Sequence, residues 1–345
     1  MELTEIGNAF HSRYPIRVLT VESHTQGEPT RLLVDGVGPI PGETMKDKCD
    51  YFKEYHDSIR LLLTREPRGH RGILAAVVTE PVNPESAFGL FYMDARRYPF
   101  LCGHATIGAV ATLVRIGVLD LSDGVHNLVV DTPSGPLEAR TEVKGGAAAA
   151  VSIRMVPSFV YAEDRPLAVP GLGEISVDLV CVGGFFVMID AARAGLDLES
   201  EPSGRIISLG MAAIDAANAA FSVRHPERPE VSTVDVTEFY TERPGKAAAG
   251  KSAVIYGESH MDRSPCGTGT TAKMTLLHHR GELALDQTYT NTGYLGTTFS
   301  GRLVQTAKVG PIDAVVGEIT GNAQITGICE FVVDPDDPFP EGFLI

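Results

Sequence analysis

Two of the five cysteines, Cys102 and Cys266, head similar segments: LCGHATIGAVATLV from Leu101 and PCGTGTTAKMTLL from Pro265. In both, a Cys-Gly pair is followed by threonine four residues after the cysteine (Thr106, Thr270) and by leucine eleven after it (Leu113, Leu277). Small and apolar residues over such a stretch suit a helix, and Gly and Thr suit its first turn. Each thiol is therefore expected at a helix N-terminus, where free N–H groups and the positive end of the dipole favour a thiolate and lower its pKa. Two activatable thiols facing each other across a cleft can take a proton from one face of a carbon and return one to the other. That chemistry is racemisation or epimerisation without a cofactor.

Cys49, Cys181 and Cys329 lack this context and read as small hydrophobic residues. A thiol-redox protein would use Cys102 and Cys266 as a disulfide, but five cysteines in 345 residues without a secretory leader describe a reducing compartment. Zinc is the other alternative, since Cys102 and His104 are two residues apart. No CxxC, HxxxH or HExxH occurs, and His278-His279 has no partners at useful spacing, so no metal is expected. The absence of GxGxxG and GxxxxGK[ST] disfavours nicotinamide and nucleotide enzymes.

A net charge of −15 with scattered Lys and Arg argues against nucleic acid as a partner. The N-terminal MELTEIGNAFHSRY has acidic residues and no apolar signal region, and no stretch approaches the roughly 20 apolar residues of a membrane span. A cytoplasmic protein acting on a small molecule is expected, with a homodimer as the base-rate assembly. With 43% hydrophobic residues the chain can fill two medium cores, and two domains are expected.

Short β-rich runs supply the frame: Ile16 to Val21, Thr30 to Val34, Gly72 to Thr79, Gly89 to Met93, Leu128 to Val130, Ala149 to Met155, Ser176 to Val182, Phe185 to Ile189 and Ser252 to Tyr256. Met45 to Leu63 and Ile206 to Phe221 read as amphipathic helices, joined by the two cysteine-headed ones. Lys144 to Ala150 and Gly245 to Gly250 read as hairpin or loop connections. VPSFVYAEDRP, around Pro157 to Arg165, interrupts the pattern with prolines and charge and is the expected boundary. The expected fold class is thus α/β with two pseudo-symmetric lobes, each a mixed β-sheet or barrel around a central helix, and the active site in the cleft. Residues 1–160 would carry Cys102, completed by C-terminal strands at about 315–345, and residues 161–314 would carry Cys266.

At these residues the chain resembles the proline racemase family, which includes proline racemases, 4-hydroxyproline 2-epimerases and trans-3-hydroxy-L-proline dehydratases. The resemblance covers nearly the whole chain: SHTQGEPTR from Ser23, EPRGH from Glu66, LCGHATIG from Leu101, VGGFFVMID from Val182, DRSPCGTGT from Asp262 and LGTTFSGR from Leu295. It implies a fold similar to diaminopimelate epimerase, no metal, no pyridoxal phosphate, and Cys102 and Cys266 as the two bases. By the same resemblance, Asp262 would accept hydrogen bonds from the substrate's ring ammonium. The amides of Gly103, His104, Gly267 and Thr268 would hold the carboxylate, and Tyr256 would form an aromatic wall. Helix N-terminal amides suit both a carboxylate and the enediolate-like charge that grows as Cα–H breaks.

Each residue also has a structural reading. Asp262, before Ser-Pro, suits a turn or an N-cap. His104 is expected to orient or hydrogen-bond, because the cysteines fill both proton-transfer positions. His24 and His70 lie in motif loops that can shape a pocket, while Gly183-Gly184 and Gly296 suit unusual backbone angles or close approach. In the family's 3-hydroxyproline dehydratases the second cysteine position is typically Thr, so Cys266 favours racemase or epimerase activity. By the resemblance, Leu74 matches a pocket position where proline racemases tend to carry Phe, and a smaller side chain leaves room for a ring hydroxyl. VDVTEFYTERP and the C-terminal stretch look closer to proline racemases, and Ala105 stands where many two-cysteine members have Gly or Asn. The expected activity is inversion at the α-carbon of a proline-type imino acid, 4-hydroxyproline 2-epimerisation favoured slightly over proline racemisation. Dehydration of trans-3-hydroxy-L-proline is the enzymatic alternative, and an imino-acid-binding protein or a thiol-redox protein the non-enzymatic ones.

Overall fold

A computed structural model describes Ala9, Arg13, Tyr14 and residues 17–99, 101–242 and 248–345. Residues 245–247 of the expected 245–250 loop, Ile16 of the first expected strand and most of the N-terminal MELTEIGNAFHSRY lie outside the described residues. The chain divides into two compact units: residues 1–25, 29–151 and 322–345, and residues 26–28 and 152–321.

The first unit contains β1 (Arg17–Thr25), β2 (Glu28–Asp35), α1 (Met45–Thr64), β3 (Leu74–Thr79), β4 (Phe88–Met93), α2 (Gly103–Arg115), β5 (Gly124–Thr132), β6 (Gly135–Lys144), the start of β7 (Ala147–Val169) and the returning β16 (Ala323–Val332). Its strand order is β7-β6-β5-β4-β3-β2-β1-β16. β2 and β3 run parallel around α1, and β4 and β5 run parallel around α2; the pairs β3–β4, β5–β6 and β1–β16 are antiparallel. Parallel neighbours need a crossover, and the two helices provide it.

The second unit holds the rest of β7, then β8 (Gly173–Val182), β9 (Gly184–Asp190), α3 (Ser203–Ala220), β10 (Val234–Glu242), β11 (Ala249–Tyr256), the short β12 (His260–Met261), α4 (Gly267–His279), β13 (Tyr289–Thr292), β14 (Thr298–Val309) and β15 (Ile312–Gly321). The scheme repeats: β9 and β10 run parallel around α3, β11 and β13 run parallel around α4, and antiparallel pairs separate them. β15 pairs back to β7, so the described strands of this unit form a closed ring.

The strands of VGGFFVMID are hydrophobic throughout because both faces are covered. In β9, Phe185, Val187 and Ile189 pack outward with Ile206, Leu209, Ala213 and Ala217 of α3. Phe186 and Met188 point inward and join Val180, Tyr240 and Val254 around Cys266, Ala272 and Leu276. α4 is buried without a break from Gly269 to Leu277, and α2 from Ala105 to Val114. Each cysteine-headed helix is therefore enclosed by its unit's strands, while α1 and α3 are the amphipathic outer helices.

Pro157 to Arg165 is no interruption: it lies inside β7, and the change between units falls at Val151/Ser152 in the same strand. Register shifts between Val160 and Ala162 and between Ala162 and Arg165 absorb the awkward residues, with Asp164 at φ 48°. Lys144 to Ala150 does form a hairpin turn, on Gly145 and Gly146 at positive φ.

Candidate active site

Both cysteines are N-caps. Cys102 precedes α2 with an extended backbone, φ −145° and ψ 111°. It is half-buried, and its Sγ lies 3.3 Å from Nδ1 and 3.9 Å from Nε2 of His104. The imidazole is thus within hydrogen-bond reach of the thiol. The His104 carbonyl accepts a 2.8 Å hydrogen bond from Thr25 Oγ1, which fixes the first turn of α2 against β1.

The threonine four residues after each cysteine has a visible task. Thr106 Oγ1 donates to the Cys102 carbonyl at 2.8 Å and pairs at 2.7 Å with the fully buried hydroxyl of Tyr92 on β4. Thr270 Oγ1 donates to the Pro265 carbonyl at 3.2 Å and accepts from Asn291 Nδ2 at 2.9 Å. Asn291, on β13, also reaches the Pro265 carbonyl at 3.1 Å and Ser252 Oγ at 2.8 Å. Each unit therefore pins the turn before its central helix through a threonine and a buried polar partner from a neighbouring strand.

Cys266 is set differently. It is buried, and its φ of 61° is a left-handed conformation that costs a non-glycine residue on the order of 1–3 kcal/mol. Its Sγ accepts from Gly269 N–H at 3.3 Å and lies 3.3 Å from Thr268 Oγ1. Burial pushes the thiol well above its ordinary range, the Asp262 carboxylate adds to the shift, and the Thr268 and Gly269 hydrogen bonds oppose it. The expectation of a lowered pKa at this helix terminus is thus reversed: two hydrogen bonds do not offset the loss of solvent.

Asp262 is buried, and its Oδ1 accepts from Ser264 N–H at 2.9 Å and Ser264 Oγ at 2.7 Å. Ser264 Oγ in turn accepts from Cys266 N–H at 3.1 Å. The turn role read from Asp-Arg-Ser-Pro is therefore present, and it links the carboxylate to the backbone of the cysteine. Gly267 and Thr268 begin α4, as Gly103 and His104 begin α2, with first-turn amides directed out of the helical ladder. Tyr256 ends β11, half-buried, its ring 4.8 Å from that of His260. Leu74 is the half-buried first residue of β3. His24 is half-buried on β1, opposite Gln324 of β16. His70 is exposed, and its Nδ1 accepts from Gly72 N–H.

Glu238 has no sequence signal beyond a charge in VDVTEFYTERP, yet it is fully buried on β10. Its Oε2 would lie 3.0 Å from a Cβ placed on Gly269, the residue whose N–H meets Cys266. Lys273, one turn further along α4, is also buried and sets its Nζ 3.4 Å from the Tyr240 ring centroid. Cys49 and Cys181 are buried free thiols, raised to about 11 and about 12 by burial, and Cys329 is half-buried. Among the described residues, no three His, Cys, Asp or Glu side chains cluster to hold a metal, and no helix is long and apolar enough to cross a membrane.

The two units share one α/β scheme, each with a cysteine-capped helix enclosed by its strands. A solved hydroxyproline epimerase from Agrobacterium vitis, with bound trans-4-hydroxy-L-proline, superposes with a TM-score of 0.84 at 26% identity, covering 96% of each chain. The proline racemase family model matches residues 20–344. A proline racemase from Acetoanaerobium sticklandii is 40% identical over 326 residues, 94% of this chain and 97% of that one. A 4-hydroxyproline 2-epimerase from Streptosporangium roseum is also 40% identical over 326 residues, with the same coverage. The chain belongs to the proline racemase family. It is an enzyme of the racemase and epimerase type.

Proposed function

We propose that this protein inverts the α-carbon of a proline-type imino acid by a two-base, cofactor-independent reaction, with Cys102 and Cys266 as the proton-transfer groups. The observation that carries the reading is the recurrence, in both topologically matched units, of a thiol as N-cap of an enclosed helix. In one direction the thiolate of Cys102 takes the Cα proton while the thiol of Cys266 delivers one to the opposite face; in the other, the roles exchange. The burial that keeps Cys266 protonated suits the donor role at rest. The first-turn amides of Gly103, His104, Gly267 and Thr268 bind the carboxylate and the charge that develops on it. Asp262 accepts from the ring ammonium, Tyr256 packs against the ring, and Leu74 leaves space beside it.

The favoured substrate is 4-hydroxyproline, slightly ahead of proline, on the size of Leu74. Equal identity to a proline racemase and a 4-hydroxyproline epimerase gives neither an advantage. Elimination of water from trans-3-hydroxy-L-proline is the alternative and needs one base only. A cytoplasmic homodimer is the setting and assembly we propose.

Proton NMR in D2O tests the reading, with the reduced protein given L-proline, trans-4-hydroxy-L-proline and trans-3-hydroxy-L-proline separately. Loss of the Cα proton signal with growth of the other C2 configuration is the expected result, fastest for the 4-hydroxy compound. Water elimination from the 3-hydroxy compound alone would make the protein a dehydratase. Silence in all three tubes with free thiols would end the imino-acid assignment.

A further inference from the structure

Glu28 lies in SHTQGEPTR, as the first residue of β2, and the reaction above gives it no task. It is 1% exposed, an unusual setting for a carboxylate, and it groups with the second unit. Its Oε2 accepts from Arg263 N–H at 2.7 Å, and its Oε1 lies 3.1 Å from His260 Nε2 and 3.4 Å from an Arg263 guanidinium nitrogen. One buried carboxylate thus holds His260 and Arg263, on either side of Asp262. The turn that presents it is itself clasped. The Gln26 carbonyl accepts from Thr297 Oγ1 at 2.7 Å, and a Cβ on Gly27 would stand 3.1 Å from the Arg263 carbonyl oxygen and 3.2 Å from Leu295. Gly27, at φ 106°, is required there for both its angle and its lack of a side chain.

The held segment leads directly to the proposed substrate contacts. β12 pairs Met261 with Ile255 and His260 with Tyr256, and the His260 ring packs on the Tyr256 ring. Asp262 N–H donates to the Val254 carbonyl at 2.9 Å. His260 and Arg263 are both held by Glu28, so Asp262 between them is held against β11 and the His260 ring is held on that of Tyr256.

We infer that Glu28 is a positioning residue, whose carboxylate fixes the His260–Arg263 segment so that Asp262 and Tyr256 meet the ring of the imino acid. The inference rests on the substrate reading above. Because Glu28 acts through other residues on the nitrogen side of the ring, its loss weakens substrate binding more than it slows proton transfer. A misplacement of about 1 Å can cost about 100-fold, and a smaller one correspondingly less.

The test compares wild type, Glu28→Gln and Glu28→Ala by steady-state kinetics on the preferred imino acid. Substrate-free hydrogen–deuterium exchange of the peptide covering Tyr256–Arg263 is measured in parallel. The Gln variant keeps an acceptor for Arg263 N–H and loses the charge. The expected order is wild type, Gln, Ala, with KM rising about threefold and tenfold, kcat changing less, and exchange accelerating in the same order. Faster exchange with KM and kcat both within about twofold of wild type would reduce Glu28 to a fold anchor and overturn the inference. Unchanged exchange would overturn it as well. Should the Ala variant fail to fold, Glu28→Gln decides alone by the same limits. A wild-type protein without turnover would instead sink the substrate reading, and with it the positioning role, whatever the exchange data say.

Discussion

The first turns of α2 and α4 carry the same Cys-Gly start and the same threonine four residues on, yet they hold their thiols in opposite ways. Cys102 is half-buried on an extended backbone, next to an imidazole. Cys266 is buried on a left-handed backbone, next to a hydroxyl and an amide, with Asp262 close enough to oppose its ionisation. A two-base reaction needs one protonated and one deprotonated thiol at a time. In the proposed reaction two identical settings would leave the resting proton on either thiol equally, whereas these two settings favour protonated Cys266.

Loss of either thiol should have the largest effect. Cys102→Ser and Cys266→Ser are each expected to lower the rate of α-carbon inversion by about 10²–10⁴-fold, with the double variant little worse than either single one. A Cys266→Ser variant that racemises at the wild-type rate would dissolve the comparison.

A methyl group added to each central helix should separate the two helices next. On Gly269 it would meet Val254 at 2.8 Å, Glu238 at 3.0 Å and Cys266 Cβ at 3.3 Å, so Gly269→Ala should cost about 1–3 kcal/mol of stability in chemical denaturation and most of the activity. On Gly108 of α2 it would meet the Thr30 and Thr25 hydroxyls at 3.0 and 3.2 Å and Thr30 Cβ at 3.3 Å, with none closer than 3.0 Å, and the gain in helix propensity of about 1 kcal/mol offsets the crowding. Gly108→Ala should therefore be near neutral in the same assay.

Reactivity sharpens the contrast without substrate. Iodoacetamide at about pH 7.5, followed by peptide mass spectrometry, should label Cys102 well before Cys266, whose thiol is both enclosed and held protonated. The labelling of Cys266 should accelerate as pH rises, and equal rates at neutral pH would contradict its assigned state.

The smallest effect is on stability. Thiols whose folded pKa lies above the unfolded value stabilise the fold fully below that unfolded value, and the contribution is lost as pH rises through the folded one. For Cys49 the window runs from its ordinary 9.0 to about 11, and for Cys181 from 9.0 to about 12, with Cys266 shifted the same way. Thermal melting points should fall progressively above pH 9, and less steeply in Cys181→Ala.

Much of this was legible in the sequence, for identifiable reasons. Cysteine before glycine with threonine one turn on is a local signal, and local signals specify helix starts. The partners that hold those turns, Tyr92 on β4 and Asn291 on β13, are single polar residues in strands, and only the parallel crossovers bring them to the threonines. The burial of Glu238 is not legible because an alternating strand such as VDVTEFYTE does not declare which face a second layer covers. The raised pKa of Cys266 was hidden likewise, because a helix terminus is written in the sequence and its burial is not. Prolines and charges made Pro157 to Arg165 look like a boundary, although two bulges let the strand pass through them.

One consequence of the closing strand concerns force rather than chemistry. β16 lies antiparallel to β1, Arg17 opposite Val332 and Thr25 opposite Ala323, and beyond β16 the chain is held again where Phe343 bridges Glu66 and Asp337 pairs with Arg68. A pull applied at Arg17 and Val332 loads that end of the ladder first, and its hydrogen bonds, being perpendicular to the strands, open one after another rather than together. Held at Arg17 and Val332 in an optical trap, the molecule should therefore yield first by unzipping β1 from β16, at a lower tension than the same ladder sheared along its length.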